Sequence, residues 1–473
     1  MNNSEQKSSE QFYSESPAAS VWDKILKTNP QNANLFGTKK SITEALSSQY
    51  PFLPTCQNPA LIPLRPPIFA DFFMNEMTFA SKRLISLIDK FFASHHADDY
   101  LNFAVKSGIE KKALDFFPSD KHTEKATLSM ARPDIIVSQG HAKFLELNID
   151  FALGAVVDAA CIPASYLSTE AAIQVLKNHS IYAQNPLVHF ANLMEKLSAA
   201  KNLKFPPNIA FFEYDFEQKF HHFYASLLSQ YGLPTTYIMP QQLGFDCQNL
   251  LSESRKFDFL LRGFPLEMVT FPEDEIPLKP ILEALKAKKL SILPNDCKAI
   301  LSSKTLLAEI WDNINQFNQS DKEFIVKYVP WSTVILPNSK VIFNAKSIEL
   351  EELLDAKNKN NFVIKKGTGH GGKQVAIGNS ITTAEWEQKV HESLKVGDYI
   401  LQEFHSPDCI QLPFLNLEDN SIRFDTLELM LGHLIIDDKF AGSVARYKSP
   451  HRKGAINHAQ GAGVSICLTE ATY

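Results

Sequence analysis

Cysteines and long apolar runs are both scarce in this sequence. Its 473 residues include six cysteines, none of them in a CxxC pair, which argues against a zinc site or a disulfide framework and fits a reducing cytosol. No stretch approaches the ~18 uninterrupted apolar residues that a membrane span needs. The polar start, MNNSEQKSSEQ, lacks the apolar segment of a secretory signal. We therefore expect a cytoplasmic protein.

An excess of positive charge is lacking as well. The chain carries 47 lysines and arginines against 53 aspartates and glutamates, which gives a net charge of −6, and the basic residues are dispersed. We therefore expect neither nucleic acid nor a membrane among the partners. A length of 473 residues predicts about two to four domains of ~100–200 residues each.

The first part of the chain changes in character near residue 20. Residues 1–20 are rich in Ser, Gln, Glu and Asn, so we expect a disordered tail. Residues 21–125 have a mostly helical pattern, and the apolar residues at 73–92 recur near a 3.6-residue period. We expect a helical N-terminal region there.

The later parts of the chain alternate between predicted strands and helices. Residues 208–213 predict a buried strand. It is followed by a helical pattern and then by a second predicted strand at 235–239. A strand–helix–strand unit favours a small parallel α/β domain, which we place at 181–300. The last ~150 residues are rich in predicted strands.

A glycine-rich loop is the strongest local signal. In Phe362-Val-Ile-Lys-Lys-Gly-Thr-Gly-His-Gly-Gly-Lys-Gln-Val375, glycines let backbone amides surround an anion, and lysines add charge for a phosphate. Gly372 and Lys373 fit a Walker A loop, but Gln374 replaces its magnesium-binding hydroxyl. The residues at 375–377 predict a strand where a Walker loop would open a helix. The pattern indicates a flap over nucleotide phosphates or, alternatively, a merely flexible hairpin.

The second signal is Arg132-x-Asp134 followed by Glu146-x-Asn148. Residues two apart in a strand share a face, so a hairpin that turns near Gly140 would set Asp134 opposite Glu146 and Arg132 opposite Asn148. Such oxygen ligands suit magnesium that is partly held by substrate phosphates. The alternative is a solvated hairpin face with an ordinary salt bridge.

Together these two motifs resemble the ATP-grasp superfamily. In most of its members the lysine strand precedes the magnesium hairpin, whereas here the hairpin comes first. This order is similar to that of the circularly permuted branch, which includes glutathionylspermidine synthetase and the ligases that load amino acids onto carrier proteins. The resemblance implies an α/β (α+β) fold, namely a circularly permuted ATP-grasp fold with a pre-ATP-grasp domain at 181–300.

The resemblance also implies roles for individual residues. Residues 126–180 would bind magnesium through Asp134, Glu146 and Asn148. Residues 301–473 would bind ATP through the phosphate lysines, the flap, and the strand that holds adenine and ribose: Lys304, Lys365 or Lys366, Gly367, Gly369, Gly371, Gly372, Gln402, Glu403 and Phe404. Arg132 and Arg446 would stabilise the reacting phosphate.

The implied activity is an ATP- and Mg²⁺-dependent, ADP-forming ligase. It would activate a small-molecule carboxylate as an acyl phosphate and join it to an amine or a thiol, with a free amine, an amino acid and a carrier protein all open as acceptors. Two alternatives remain. A nucleotide-dependent phosphotransferase could use the same residues, and a non-catalytic regulator could bind nucleotide as a switch.

Overall fold

Helices and several sheets combine in a mixed α/β fold in the computed structural model. The structure describes residues 15–28, 41–109, 114, 130–149, 155–213, 218–252, 255–263, 275–293, 300–369, 372 and 374–472. Within these ranges the α-helices are Pro17–Thr28, Ile42–Gln49, Asp71–His95, Tyr100–Lys106, Val156–Leu167, Glu170–Val175, Pro186–Ala200, Gln218–Gln230, Glu275–Lys286, Lys304–Asp312, Gln319–Tyr328, Leu350–Leu354 and Thr383–Val396. None of these helices is both long and apolar enough to cross a bilayer.

The strands of the described residues are numbered in chain order. They are β1 Ile68–Ala70, β2 Met130–Ser138, β3 His141–Ile149, β4 Ile181–Tyr182, β5 Ile209–Phe212, β6 Thr235–Ile238, β7 Gly244–Phe245, β8 Leu250–Ser252, β9 Arg255–Phe257, β10 Phe259–Arg262, β11 Ser291–Leu293, β12 Ser332–Val334, β13 Lys340–Phe343, β14 Lys346–Glu349, β15 Phe362–Lys366, β16 Val375–Ile377, β17 Tyr399–Glu403, β18 Cys409–Leu415, β19 Ile422–Ile436, β20 Lys439–Lys448, β21 Gly463–Ile466 and β22 Leu468–Glu470.

The largest sheet joins the early hairpin to late strands. Its order is β21-β20-β19-β2-β3, and β18 pairs with β19 outside this path. Alternate residues face opposite sides of the sheet, so Ile135 and Leu431 pack into the main apolar core with helix Asp71–His95. The other face, which carries Asp134 and Met430, lines a cavity.

A second sheet has the order β12-β17-β15-β16, and every pairing in it is antiparallel. Its apolar residues form a core of their own, in which Trp386 of helix Thr383–Val396 is fully buried. A capping box at Thr382 and Glu385 begins that helix, and Gly397 ends it in the left-handed conformation with φ 78°. The second sheet thus has a hydrophobic core of its own and lies across a cavity from the first sheet.

The predicted strand–helix–strand unit is present. β5, helix Gln218–Gln230 and β6 follow one another, and the two strands pair in parallel. β10 and β11 extend this sheet to the order β11-β10-β5-β6, and all of its pairings are parallel. All four strands lie between residues 209 and 293, and the domain bounds 181–300 stay a prediction.

The expected disordered tail at 1–20 is wrong in its last part. Pro17–Thr28 is a helix, in which Trp22 and Leu26, four residues apart, are fully buried with two alanines of the first turn. The polar composition of residues 1–20 does not reveal this helix, because its buried face consists of two small alanines and of apolar residues that follow position 20. Residues 1–14 lie outside the described ranges.

Candidate functional site

A cavity of about 400 Å³ lies between the two sheets. Its size falls within the ~300–1,000 Å³ of typical small-molecule sites. Alternation along the strands brings side chains from both walls into it: Asp134, Ile136, Leu145, Glu146, Met430 and Arg446 on one side, and Val363, Lys365, Val375, Ile377 and Gln402 on the other. The early hairpin and the late lysine strand therefore meet in one cleft.

β2 and β3 form the hairpin that the sequence predicts. Asp134 pairs with Glu146 and Arg132 pairs with Asn148. The turn lies at Gly140, whose φ of 75° suits glycine. Arg132 also accepts a hydrogen bond at its carbonyl from the Asn148 side-chain amide at 2.9 Å.

A bulge interrupts this hairpin at the cleft. Asp134 pairs with Glu146, but the next residue, Ile135, pairs with Phe144, so Leu145 is the extra residue on β3. The Leu145 carbonyl accepts a hydrogen bond at 3.2 Å from the ammonium of Lys365 on the opposite sheet. The bulge thus links the two walls beside Glu146.

Asp134 is held by arginine. Nη1 and Nη2 of Arg446 donate to its two carboxylate oxygens at 3.1 and 2.9 Å, and Nε of Arg132 lies 3.6 Å from Oδ1. Asp134 is only 1% exposed. Burial raises its pKa and nearby Glu146 raises it further, whereas the two arginines oppose the shift. Two arginines of its own sheet therefore surround this carboxylate, and Glu146 lies within hydrogen-bond reach of it.

Glu146 pairs with a lysine from another element. Nζ of Lys304 lies 3.2 Å from its Oε2 and also donates to the Gly369 carbonyl at 2.9 Å. Lys304 is the first residue of helix Lys304–Asp312, which Ser303 caps. Burial would raise the pKa of Glu146, but Lys304 and Lys365 outweigh burial and lower it. Glu146 is consequently an anion at neutral pH.

The structure distinguishes the two adjacent lysines of the flap strand. Lys365 is 7% exposed and donates to Gln402 Oε1 at 2.7 Å inside the cleft. Lys366 points to the other face of the strand, where its Nζ lies 3.4 Å from Asp398 Oδ2. Of the two lysines that the resemblance left open, Lys365 is therefore the one inside the cavity.

Burial disfavours the charged form of Lys365. Burial lowers its pKa from 10.5 to about 8, Lys304 adds to the shift, and Glu146 opposes it. Two of its hydrogen-bond acceptors, Gln402 and the Leu145 carbonyl, are neutral. A polyanion in the cavity would restore the charge balance around this lysine.

The glycine loop joins two strands, as predicted. β15 and β16 pair antiparallel, with Lys365 opposite Val375, so no helix follows the loop at 375–377 as in a Walker A motif. Gly367 and Gly369 lie at the start of the loop, and Gly372 accepts a hydrogen bond at its carbonyl from Gln460 at 3.0 Å. Gly371 lies outside the described residues.

Gln402 lines the cavity and accepts a hydrogen bond from Lys365. It is 1% exposed, its Oε1 accepts from Lys365, and its Nε2 donates to Ser332 Oγ at 3.2 Å. Gln402 and Lys365 lie on the same face of neighbouring strands. The resemblance assigns Gln402 to nucleotide contact; its side-chain partners in the structure are Lys365 and Ser332, and the nucleotide contact stays a prediction.

Glu403 and Phe404 line the far part of the same cavity. Their backbone N–H groups are already used, since Glu403 donates to the Trp331 carbonyl and Phe404 to the Asn361 carbonyl, both at 2.8 Å. Nε2 of His405 lies 3.4 Å from the Glu403 carboxylate and lowers its pKa. This end therefore offers a carboxylate beside apolar walls.

An apolar slot forms between the sheets. Ile136 and Met430 lie on one wall, and Val363 and Ile377, which pair with each other, lie on the other. Two apolar surfaces that face each other across a cleft suit a flat ring. The cavity thus combines an apolar slot with a charged region that contains lysine, arginine and carboxylate groups.

The described residues contain no group of three or more His, Cys, Asp and Glu side chains that could hold a metal ion. Both predicted carboxylate ligands line the cavity, but the Glu146 side chain is 27% exposed and that of Asp134 1%, and Arg446 donates to both oxygens of Asp134. A third oxygen would have to come from the amide of Asn148. The three predicted ligands lie on one hairpin, where Asp134 pairs with Glu146 and Asn148 pairs with Arg132. Asn148 is not among the residues that line the cavity, and the role of all three in metal binding stays a prediction.

One charged pair in the cavity is not among the site residues predicted from the sequence. Lys448 and Glu428 are opposite each other on β20 and β19, and their charged atoms lie 2.9 Å apart. Both line the cavity. A signal did exist, because Lys448 comes two residues after Arg446 on the same strand and so faces the same side.

Comparisons with known proteins support the fold. No protein-family model matches the chain, and no curated protein sequence matches it. The fold is similar to that of a glutathione synthetase-like effector from Globodera pallida solved in its apo form, with a TM-score of 0.52 and 13% identity, over 87% of this chain and 90% of the effector. A D-alanyl-alanine synthetase A from Vibrio cholerae gives a TM-score of 0.28 and 7% identity over 55% of this chain and 87% of its own, which is too low to support an argument. At this level of identity, the likeness to the effector concerns the fold alone.

Proposed function

We propose that the chain is a circularly permuted ATP-grasp ligase that activates a carboxylate as an acyl phosphate and transfers the acyl group to an amine or a thiol. The observation that carries this proposal is one cavity that Lys365, Glu146, Arg446 and Asp134 line beside an apolar slot. Lys304 contacts this cavity wall through its ion pair with Glu146. The fold shared with the glutathione synthetase-like effector supports it.

In this proposal the nucleotide lies along the cleft between the two sheets. Adenine occupies the slot between Met430 and Val363, and Glu403 binds the ribose hydroxyls. The phosphates extend toward Lys304 and Lys365, whose ammonium groups now rest on Glu146, on Gln402 and on backbone carbonyls. Phosphate oxygens are stronger acceptors than carbonyls and would replace them.

The reaction divides into two displacements. A substrate carboxylate oxygen attacks the γ-phosphorus of ATP, the bond to the β,γ-bridging oxygen breaks, and ADP leaves. The acceptor then attacks the acyl carbon, and phosphate leaves with the oxygen that came from the carboxylate. Catalysis of such steps is mostly positioning and charge stabilisation, for which Arg446 and Lys365 provide fixed cations and Arg132 a third nearby.

The residues present fit magnesium in the company of phosphates. Glu146 is ionised and reaches the cavity, and Asn148 would supply a neutral oxygen, while each oxygen of Asp134 already accepts one hydrogen bond from Arg446. A magnesium ion held partly by protein and partly by phosphate oxygens would neutralise charge on the transferred group. The acceptor remains open among a free amine, an amino acid and a carrier-protein thiol.

The alternatives are a phosphotransferase and a nucleotide-binding regulator. The presence of the predicted magnesium ligands together with both phosphate lysines favours catalysis over regulation, because a protein that only binds nucleotide has no need to stabilise charge on a transferred phosphoryl group. A phosphotransferase would release ADP together with a phosphorylated product and no ligated one. The two catalytic alternatives therefore differ in their products.

The test is a panel of amino acids and polyamines incubated with the protein, ATP and Mg²⁺. We expect a carboxylate and acceptor pair that releases ADP and phosphate in equal amounts together with a new amide or thioester. Glu146→Gln is the matched control, because it removes one charge and keeps the side-chain shape. AMP and pyrophosphate as products, or a stable phosphorylated substrate, would contradict the proposal.

A further inference from the structure

The base of the glycine flap contacts the N-terminal helical region. The Thr368 hydroxyl donates a hydrogen bond at 2.8 Å to the carbonyl of Ser107, the residue that ends helix Tyr100–Lys106. Ser107 is fully buried. A flap residue is therefore tied to an element more than 200 positions earlier in the chain.

Two glycines make this contact possible. A Cβ on Gly108, whose φ is +100°, would lie 2.7 Å from Thr368 Oγ1 and 2.8 Å from Asp398 Oδ2. A Cβ on Gly367 would lie 2.6 Å from Thr305 Oγ1 and 3.0 Å from the Ser107 carbonyl. Since real Cβ atoms do not approach so closely, both positions need glycine for the two segments to meet.

The residue before Thr368 is fixed by backbone hydrogen bonds. The Gly367 N–H donates to the Asp398 carbonyl at 2.7 Å, and the Gly367 carbonyl accepts from the Lys304 N–H at 2.9 Å. One residue after Thr368, the Gly369 carbonyl accepts a hydrogen bond from the ammonium of Lys304. The phosphates of the proposed nucleotide would compete with this carbonyl for the ammonium. The Thr368–Ser107 contact, unlike the neighbouring contact between Lys304 and Gly369, therefore does not compete with the nucleotide.

We propose that Thr368 is a positioning residue, whose hydroxyl fixes the base of the flap against Ser107 and so sets where the flap amides lie. Its consequence for nucleotide rests on the proposed function, because pre-positioned amides reduce the ordering cost of phosphate binding. The N-terminal helical region thereby becomes part of the flap's support.

The experiment compares Thr368→Val, which removes the hydroxyl at nearly constant volume, with Thr368→Ser, which keeps it. Thr426→Val is the matched control, because Thr426 is exposed on β19. Amide hydrogen exchange is followed in peptides that cover residues 367–375, with β17 as an internal reference. Loss of one hydrogen bond predicts roughly fivefold faster exchange of the flap peptide in Thr368→Val. We expect Thr368→Ser and Thr426→Val to behave as the wild type.

A second measurement gives the dissociation constant of a non-hydrolysable ATP analogue with Mg²⁺. We expect it to rise roughly threefold to fivefold in Thr368→Val and to return in Thr368→Ser. Flap exchange that is unchanged in Thr368→Val, or equally fast in Thr368→Ser, would overturn the role of the hydroxyl. Absence of analogue binding in the wild type would overturn the proposed function instead, while the exchange comparison would still decide the role of Thr368.

Discussion

Replacement of Lys365 by methionine separates a phosphate-binding role from a structural one. Lys365→Met keeps the length of the side chain and removes the charge inside the cleft. If the ammonium contacts nucleotide phosphate, loss of this charge-assisted contact should cost about 1.5–3 kcal/mol, or ~10–100-fold in ATP affinity. Lys366→Met is the matched control, because Lys366 faces Asp398 on the other side of the strand.

The same substitution should not reduce stability. Burial lowers the pKa of Lys365 from 10.5 to about 8, so keeping it charged in the folded chain costs roughly 3 kcal/mol. Because the folded-state pKa lies below the unfolded one, this cost is complete below pH of about 8 and disappears above about 10.5. Its removal offsets the lost contacts with Gln402 and the Leu145 carbonyl. We expect the unfolding temperature of Lys365→Met to equal or exceed that of the wild type.

The assay combines two measurements on each variant. Calorimetric titration with a non-hydrolysable ATP analogue and Mg²⁺ gives the affinity, and thermal unfolding without nucleotide gives the stability. Weaker binding at undiminished stability in Lys365→Met, with Lys366→Met near wild type, is the expected result. Equal loss of affinity in both variants, or lost stability with unchanged affinity in Lys365→Met, would refute the reasoning.

Three further predictions concern the same cavity. Glu146→Gln should reduce turnover by at least ~100-fold with a wild-type circular dichroism spectrum, because it removes a charge rather than volume; retained turnover would exclude Glu146 from the reaction. ATP affinity should be constant up to pH of about 8 and then fall by up to tenfold per pH unit, since Lys365 must be protonated to bind phosphate. The affinity of Lys365→Met should not fall in this way, and a fall of affinity that persists in this variant would assign the pH dependence to another group. Gln374→Ala should leave steady-state turnover within about twofold of wild type, because a strand follows the loop and no Walker hydroxyl is needed; a large loss would revive a role for Gln374 in metal binding.

Local patterns in the sequence were sufficient for the parts that depend on strand alternation. The opposition of Asp134 and Glu146 follows from period two and a turn at Gly140, and the structure has this register. The strand at 375–377 followed in the same way from its β-branched and apolar residues. These features depend on neighbours close in the chain, so the sequence contains enough information to predict them.

Features that join distant segments were not predictable from such patterns. No local signal shows that Arg446 takes both oxygens of Asp134, since the two residues are 312 positions apart. The choice between Lys365 and Lys366 likewise depends on which face of β15 meets the cleft, and that is decided by packing of the sheet. β1 pairs with β22 near the C-terminus, a pairing between three-residue strands that periodicity does not reveal.

The most direct test of the central claim follows oxygen from the carboxylate. A carboxylate substrate identified in the panel is labelled with ¹⁸O and incubated with the protein, ATP, Mg²⁺ and the acceptor, and the released phosphate is examined by mass spectrometry. An acyl phosphate intermediate requires one labelled oxygen to pass from each reacting carboxylate into phosphate. Labelled phosphate together with ADP is the predicted result, and unlabelled phosphate alongside a ligated product would contradict the claim.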